Sequence, residues 1–290
     1  MAPSELWSPL PYKHVEVNGI DVAYVDSGGD GPPIVFIHGL SSYTAYWEYQ
    51  LPHFAKTHRV LALDLPGYGA SGRPDAAMTP PWYADLVSDW MDVVGASRAT
   101  VVGHSMGGQI AMTLALNHPG RVSALVLSAP AGFETFTAGE KAWMGSYWHE
   151  ARALDSSEIE MRMAFTQAVF NVNDAGVERL LEERVRMGKT PEFRGTSVAV
   201  SRSVNGMMNF PVLDRLGEIK VPTLIVFGSD DHMIPNPILH GGRTKGIADI
   251  GHDAIDGSEL VMIPAAGHTV HHDAPDAWND AVDTFLRSLR

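Results

Sequence analysis

The chain has 290 residues, 45% hydrophobic and 19% charged, with a formal net charge of -13 and no cysteine. These figures exclude disulfides, thiolate nucleophiles and Cys-ligated metal sites. They also argue against a nucleic-acid or anionic-membrane partner, because phosphate binding needs clustered Lys and Arg.

Residues Met1 to Trp7 lack the basic and apolar regions of a signal peptide. No apolar run approaches the roughly 20 residues that span a bilayer, so a cytoplasmic protein without membrane insertion is expected. Residues His14 to Asp26 alternate apolar and polar on both sides of Asn18-Gly19, which predicts a hairpin with a type I′ turn. Short continuous apolar runs follow at Ile34 to Ile37, Val60 to Leu63, Thr100 to Val102, Ala124 to Leu127, Leu224 to Phe227 and Leu260 to Ile263. Strands buried on both faces, as in a parallel sheet covered by helices, read this way.

Helical periodicity fills the intervals. Trp82, Leu86, Trp90 and Val94 share one face, as do Met106, Ile110, Leu114 and Ala115, and then Trp278, Val282, Phe285 and Leu289. Alternating strands and helices predict an α/β fold with a doubly wound, mostly parallel sheet, whose sites form at the carboxyl ends of the strands. From about Phe133 to Leu216 no strand of this type occurs, only amphipathic patterns such as Ile159 to Phe170 and Val177 to Met187. The expected organisation is a core of residues 1–132 and 217–290 carrying an inserted helical cap of residues 133–216.

The chemistry-bearing string is Gly103-His104-Ser105-Met106-Gly107. In a chain with 28 glycines, Gly-x-Ser-x-Gly alone is weak, but this one follows a strand and opens a helix. That setting puts Ser105 on a strained turn with its hydroxyl raised above the sheet. A serine hydroxyl needs an adjacent base, and His268 lies in the loop just past the last strand. The imidazole needs an orienting carboxylate, and Asp230 and Asp231 follow the preceding strand in the chain order Ser, Asp, His. His271, His272 and Asp273 are nearby, but no His-Glu-x-x-His pattern supports a metal reading. Two oxyanion donors are expected, the backbone N–H groups of Met106 and of Leu40 in the turn His38-Gly39-Leu40.

With these residues placed, the chain resembles the α/β-hydrolase superfamily, in its serine esterase and lipase branch with a helical cap. The matching segments are His38-Gly39, Asp64 to Gly72, Gly103 to Gly108, Gly228 to Pro235 and Gly267-His268. The resemblance implies the α/β-hydrolase fold and selects Asp231 as the acid, three residues after Gly228. It gives the Asp64 to Gly72 segment a structural role only. A Ser nucleophile sets aside relatives similar to haloalkane dehalogenases and epoxide hydrolases, which carry Asp there. Leu40 departs from the Phe-Pro common in the family, and Asn236 to Gly257 is long for the connection it makes.

The expected activity is hydrolysis of a small-molecule carboxylic ester through an acyl-enzyme on Ser105, without cofactor or metal. The alternatives are a carbon–carbon bond hydrolase, a lactonase or an acyltransferase using the same triad, and, from a different class, a binding protein on this fold. Trp143, Met144 and Trp148 of the cap are the expected substrate contacts, because aromatic and Met side chains form adaptable apolar walls. No pattern in the sequence sets the oligomeric state.

Overall fold

The computed structural model describes residues 6–152, 154 and 157–289. Residues 1–5, where the signal-peptide reading mostly falls, lie outside the described residues, as do positions 153, 155 and 156 of the insertion and residue 290.

The strands are β1 (Tyr12–Val17), β2 (Ile20–Asp26), β3 (Pro33–Ile37), β4 (Arg59–Leu63), β5 (Ala99–His104), β6 (Val122–Ser128), β7 (Thr223–Gly228) and β8 (Glu259–Ile263). They form one eight-stranded sheet in the order β1-β2-β4-β3-β5-β6-β7-β8. Only β2 runs against its neighbours β1 and β4; the pairs from β4 through β8 are parallel. This is the doubly wound, mostly parallel sheet expected from the alternation of elements. The turn after β1 has φ 52° at Asn18 and 79° at Gly19, the pair of positive values a type I′ hairpin requires.

The continuous apolar runs are explained by the two faces of the sheet. Val35, Ile37, Val101, Leu125, Leu127, Ile225 and Phe227 point into one hydrophobic layer. Their neighbours Ile34, Phe36, Val102, Val126, Leu224 and Val226 point into the other. Side chains alternate between faces, so a strand covered on both sides must be apolar at successive positions. The first layer is closed by α2 (Pro80–Val93), α3 (Met106–Asn117) and α8 (Thr244–Ala254), the second by α1 (Gln50–Phe54) and α9 (Pro275–Ser288). Trp90 and Trp278, from helical faces predicted by periodicity, are fully buried in opposite layers. Burying such a side chain contributes about 1.5–3 kcal/mol.

Between β6 and β7 the chain is helical: α4 (Ala138–Tyr147), α5 (Glu158–Ala164) continued by a π-helical turn at Phe165–Val169, α6 (Ala175–Gly188) and α7 (Phe193–Asn209). Thr137 and Ser157 open α4 and α5 with reciprocal capping boxes to Glu140 and Glu160, and Asp174 caps α6 by accepting from Val177 N (2.9 Å). Phe165, Phe170, Val177, Leu180 and Leu181 share a third apolar cluster with Tyr43 and Tyr46, from the loop after β3. The insertion therefore packs on the carboxyl-end loops of the sheet. No helix among the described residues is long and apolar enough to cross a membrane.

Candidate active site

Ser105 joins β5 directly to α3 with φ 51° and ψ −117°. A non-glycine residue held in the left-handed region costs about 1–3 kcal/mol, and it persists only where the surroundings enforce it. Here they do. Ser105 N donates to Ser128 O (3.0 Å), and Ser105 O accepts from Gly108, Gln109 and Ala131 N–H groups at 2.9, 3.2 and 2.9 Å. The flanking glycines are required by space. A Cβ at Gly103 would lie 2.3 Å from Gly107 O, and one at Gly107 would lie 2.2 Å from Ile37 O. Only without those atoms can α3 start tight against the ends of β5 and β3.

His268 follows β8 and is buried. Its Nδ1 donates to Asp231 Oδ2 at 2.9 Å, with the two side chains 4% and 0% exposed. The other carboxylate oxygen of Asp231 accepts from Met233 N (2.7 Å) and Ile234 N (3.0 Å), which locks its orientation. A carboxylate can only accept, so Nδ1 carries the proton and Nε2 is left as the basic nitrogen. The neighbouring Asp230 is exposed and accepts from Ser229 Oγ (3.2 Å). Adjacent side chains in an extended turn diverge, and here Asp231 is the one that meets the imidazole.

The turn after β3 is held by His38. Its Nδ1 donates to Gly39 O (2.7 Å) and its Nε2 accepts from Leu65 N (2.9 Å), so it is a neutral ring that pins the end of β3 to the end of β4. Burial holds it below the ordinary histidine range. Leu40, next in the chain, faces the same cavity as Ser105 and His268. Met106 is the first residue of α3, so its N–H has no acceptor within the helix. Asp64, expected to be structural, is buried and accepts from Thr44 N (2.8 Å), Thr44 Oγ1 (2.7 Å) and Ala70 N (2.7 Å).

Two chambers meet at Ser105 and His268. The larger has a volume of about 690 Å³ and a mostly apolar wall that includes Met144, Trp148, Met207 and Met208. The smaller, about 300 Å³, shares Leu40, Ser105, Trp148, Met233 and His268 with it. Trp143 stands elsewhere: it is 40% exposed, stacks on Tyr147 at 5.7 Å, and is in the wall of neither chamber. Met144 on α4 and Trp148 just past its end face inward, and Trp143, one position before Met144, faces away.

A family model for the alpha/beta hydrolase fold matches residues 32–275. The chain belongs to the alpha/beta hydrolase fold family. It is 31% identical to the dihydrolipoyllysine-residue acetyltransferase component of the acetoin cleaving system of Cupriavidus necator, across 83% of this chain and 64% of that protein. The chain thus spans less than two thirds of that relative's length. It is 26% identical to a 2-hydroxy-6-oxo-6-(2'-aminophenyl)hexa-2,4-dienoic acid hydrolase of Metapseudomonas resinovorans, across 94% of this chain and 90% of the other. A probable hydrolytic enzyme from Pseudomonas aeruginosa has the same fold, with a TM-score of 0.87 at 24% identity and coverage of 97% and 96% of the two chains.

This alpha/beta hydrolase fastens its helical insertion to the loop that carries His268. Thr269 N and Oγ1 both donate to Val169 O (3.1 and 2.9 Å). Asn171 N donates to Asp273, and Asn171 Nδ2 donates to Asp230 O (3.1 Å). Sequence reasoning missed these ties, because nothing local marks Val169 or Asn171 as partners of residues 59 to 102 positions away. It also left Asn236 and Pro237 unassigned, yet both stand in the wall of the larger chamber. Of the histidines after His268, His271 stacks on Trp47 at 4.2 Å, and His272 Nε2 meets Glu48 Oε1 at 2.9 Å. Asp273 accepts from Gly267 N (2.7 Å).

His104 and His271 carry a pH dependence. Burial pushes both imidazoles well below the ordinary histidine range, and facing histidine rings add to the effect. Both are therefore neutral in the fold, while the unfolded chain protonates them near about pH 6.5. Their contribution to stability is complete above that value and is lost as pH falls through it towards the depressed folded-state range. The melting temperature is expected to drop between about pH 7 and pH 5, and His271→Phe should shrink that drop. A melting temperature that is flat across the window in both proteins would contradict this.

Proposed function

We propose that this alpha/beta hydrolase is a serine hydrolase that cleaves small carboxylic esters through an acyl-enzyme on Ser105. The observation that carries the reading is the buried His268–Asp231 hydrogen bond of 2.9 Å beside a serine held at φ 51°. Ser105 Oγ attacks the ester carbonyl as His268 Nε2 takes its proton, and Asp231 holds the ring and offsets its positive charge. The N–H groups of Leu40 and Met106 hold the oxyanion. The tetrahedral adduct expels the alcohol, protonated by His268, and leaves the acyl group on Ser105. Water, deprotonated by the same imidazole, then releases the acid and frees the serine.

In this reading, residues 133–216 act as a cap over a core of residues 1–132 and 217–290, and Met144 and Trp148 contact substrate. The apolar wall of the larger chamber favours a carboxylic ester with an apolar acyl or alcohol group. Acyl transfer to an acceptor other than water is the second reading, supported by the acetyltransferase named for the 31% identical relative. Both readings share the acyl-enzyme and differ in its acceptor.

A panel of p-nitrophenyl esters of graded chain length, with and without added alcohol, tests both. Turnover with an initial burst of nitrophenol is expected, with free acid as the main product. Product ester in excess of acid would favour transfer over hydrolysis. Absence of both turnover and burst across the panel would overturn the proposal.

A further inference from the structure

The smaller chamber holds a cation with no carboxylate partner among the described residues. Arg184 of α6 lines it together with Ser105 and His268. Its guanidinium lies over the Phe193 ring at 4.9 Å, and the charged or ionisable groups acting on it are Tyr46, Tyr68 and Tyr43. Burial raises the pKa of each of these phenols, which keeps them neutral. The acids nearest in the chain and in the chamber are committed elsewhere. Glu183, adjacent to Arg184, accepts from Trp7 N (3.0 Å) and the Tyr43 hydroxyl, and pairs with Arg186 at 3.6 Å. Glu160, also in the chamber wall, caps α5 through Ser157 and pairs with Arg152 at 3.9 Å. Among the described residues no carboxylate forms a salt bridge with Arg184, and the chamber retains one positive charge in excess.

Arg184 is half-buried; a charge partly withdrawn from water with no counter-charge among the described residues is costly, and desolvation accordingly lowers the Arg184 pKa. The guanidinium presents a planar fork of donors that matches a carboxylate. The chamber is about 300 Å³ and opens onto the nucleophile, so it has room for a short arm of a molecule held at Ser105. We infer that the smaller chamber is an anion subsite, in which Arg184 binds the terminal carboxylate of the substrate's short arm while an apolar arm occupies the larger chamber. The inference rests on the proposed serine chemistry and names a substrate class for it, esters that carry a free carboxylate on one arm.

Matched pairs of esters test it. On the acyl arm, mono-4-nitrophenyl glutarate is compared with 4-nitrophenyl valerate; on the alcohol arm, 3-(butyryloxy)propanoate is compared with propyl butyrate. In at least one pair the carboxylate ester is expected to have a kcat/KM about tenfold or more above its neutral partner, and Arg184→Gln should collapse that ratio by about tenfold or more. Arg184→Lys, which keeps the charge and loses the fork, should fall between. Melting temperatures establish that the variants fold. Neutral esters preferred in both pairs, or a ratio unchanged in Arg184→Gln, would overturn the subsite.

Direct binding separates this from the catalytic proposal. Glutarate should bind the Ser105→Ala protein and weaken about tenfold when Arg184→Gln is added. If no ester is turned over but this binding holds, the serine chemistry fails and the subsite stands. Binding indifferent to Arg184 overturns the subsite whatever the turnover.

Discussion

Ser105→Ala is expected to abolish ester turnover, with kcat falling by about 10⁶. The change removes one oxygen atom from the residue the proposed mechanism acylates. It leaves the elbow in place, because the bonds that hold the turn come from the Ser105 backbone, through its N–H to Ser128 O and its carbonyl to three N–H groups. Circular dichroism should therefore be unchanged. What remains is the background rate from oxyanion binding and substrate positioning, on the order of 10³–10⁴ above water. A fluorophosphonate should add one equivalent to the unmodified protein, at Ser105, and none to the variant. Labelling that persists in the Ala protein would place the nucleophile elsewhere.

The second large effect separates two adjacent carboxylates. Asp231→Asn is expected to lower kcat by about 10⁴ and Asp230→Asn by far less. Asp231 accepts from His268 Nδ1 at 2.9 Å and from two backbone N–H groups. An amide there can turn its NH₂ towards the ring, which stabilises the wrong tautomer and removes the counter-charge for the imidazolium. Asp230 is exposed, and its nearest polar side-chain contact is Ser229 Oγ at 3.2 Å. Its backbone N–H donates to Ala266 O, a bond that the substitution keeps. Steady-state kinetics on both variants, each checked for an unchanged fold, decides the assignment. An inactive Asp230→Asn beside an active Asp231→Asn would shift the acid by one position.

The parts of this site that were legible in the sequence are those specified over short windows. Asn18-Gly19 announced a hairpin because few residue pairs accept two successive positive φ values, and that is what the turn contains. The runs Ile34 to Ile37 and Leu224 to Phe227 announced buried strands, because a strand covered on both faces has no polar side to show. Gly103 to Gly107 announced the turn at Ser105, because a strand that passes at once into a helix leaves no room for a Cβ on either side.

Other features were decided only by the tertiary structure. Which Asp faces His268 is set by how β7 and β8 place their loops side by side; the two adjacent residues by themselves leave it open, and in the sequence only the resemblance to the family pointed to Asp231. Trp143 had the composition of a substrate contact but lies on the outer side of α4, beside Tyr147. Arg184 read as one polar position of an amphipathic helix, yet the seating of α6 against Tyr43 and Tyr46 turns it into the chamber beside the nucleophile. Val169 and Asn171 carried no signal at all, and they hold the His268 loop through Thr269 and Asp273. The division has one physical cause. Periodicity, turn chemistry and capping act between residues a few positions apart, so the sequence by itself determined the elements, their order and the type of site they support. The walls of a cavity and the partners of a buried charge are set by contacts between residues on the order of a hundred positions apart, and those exist only once the layers have packed.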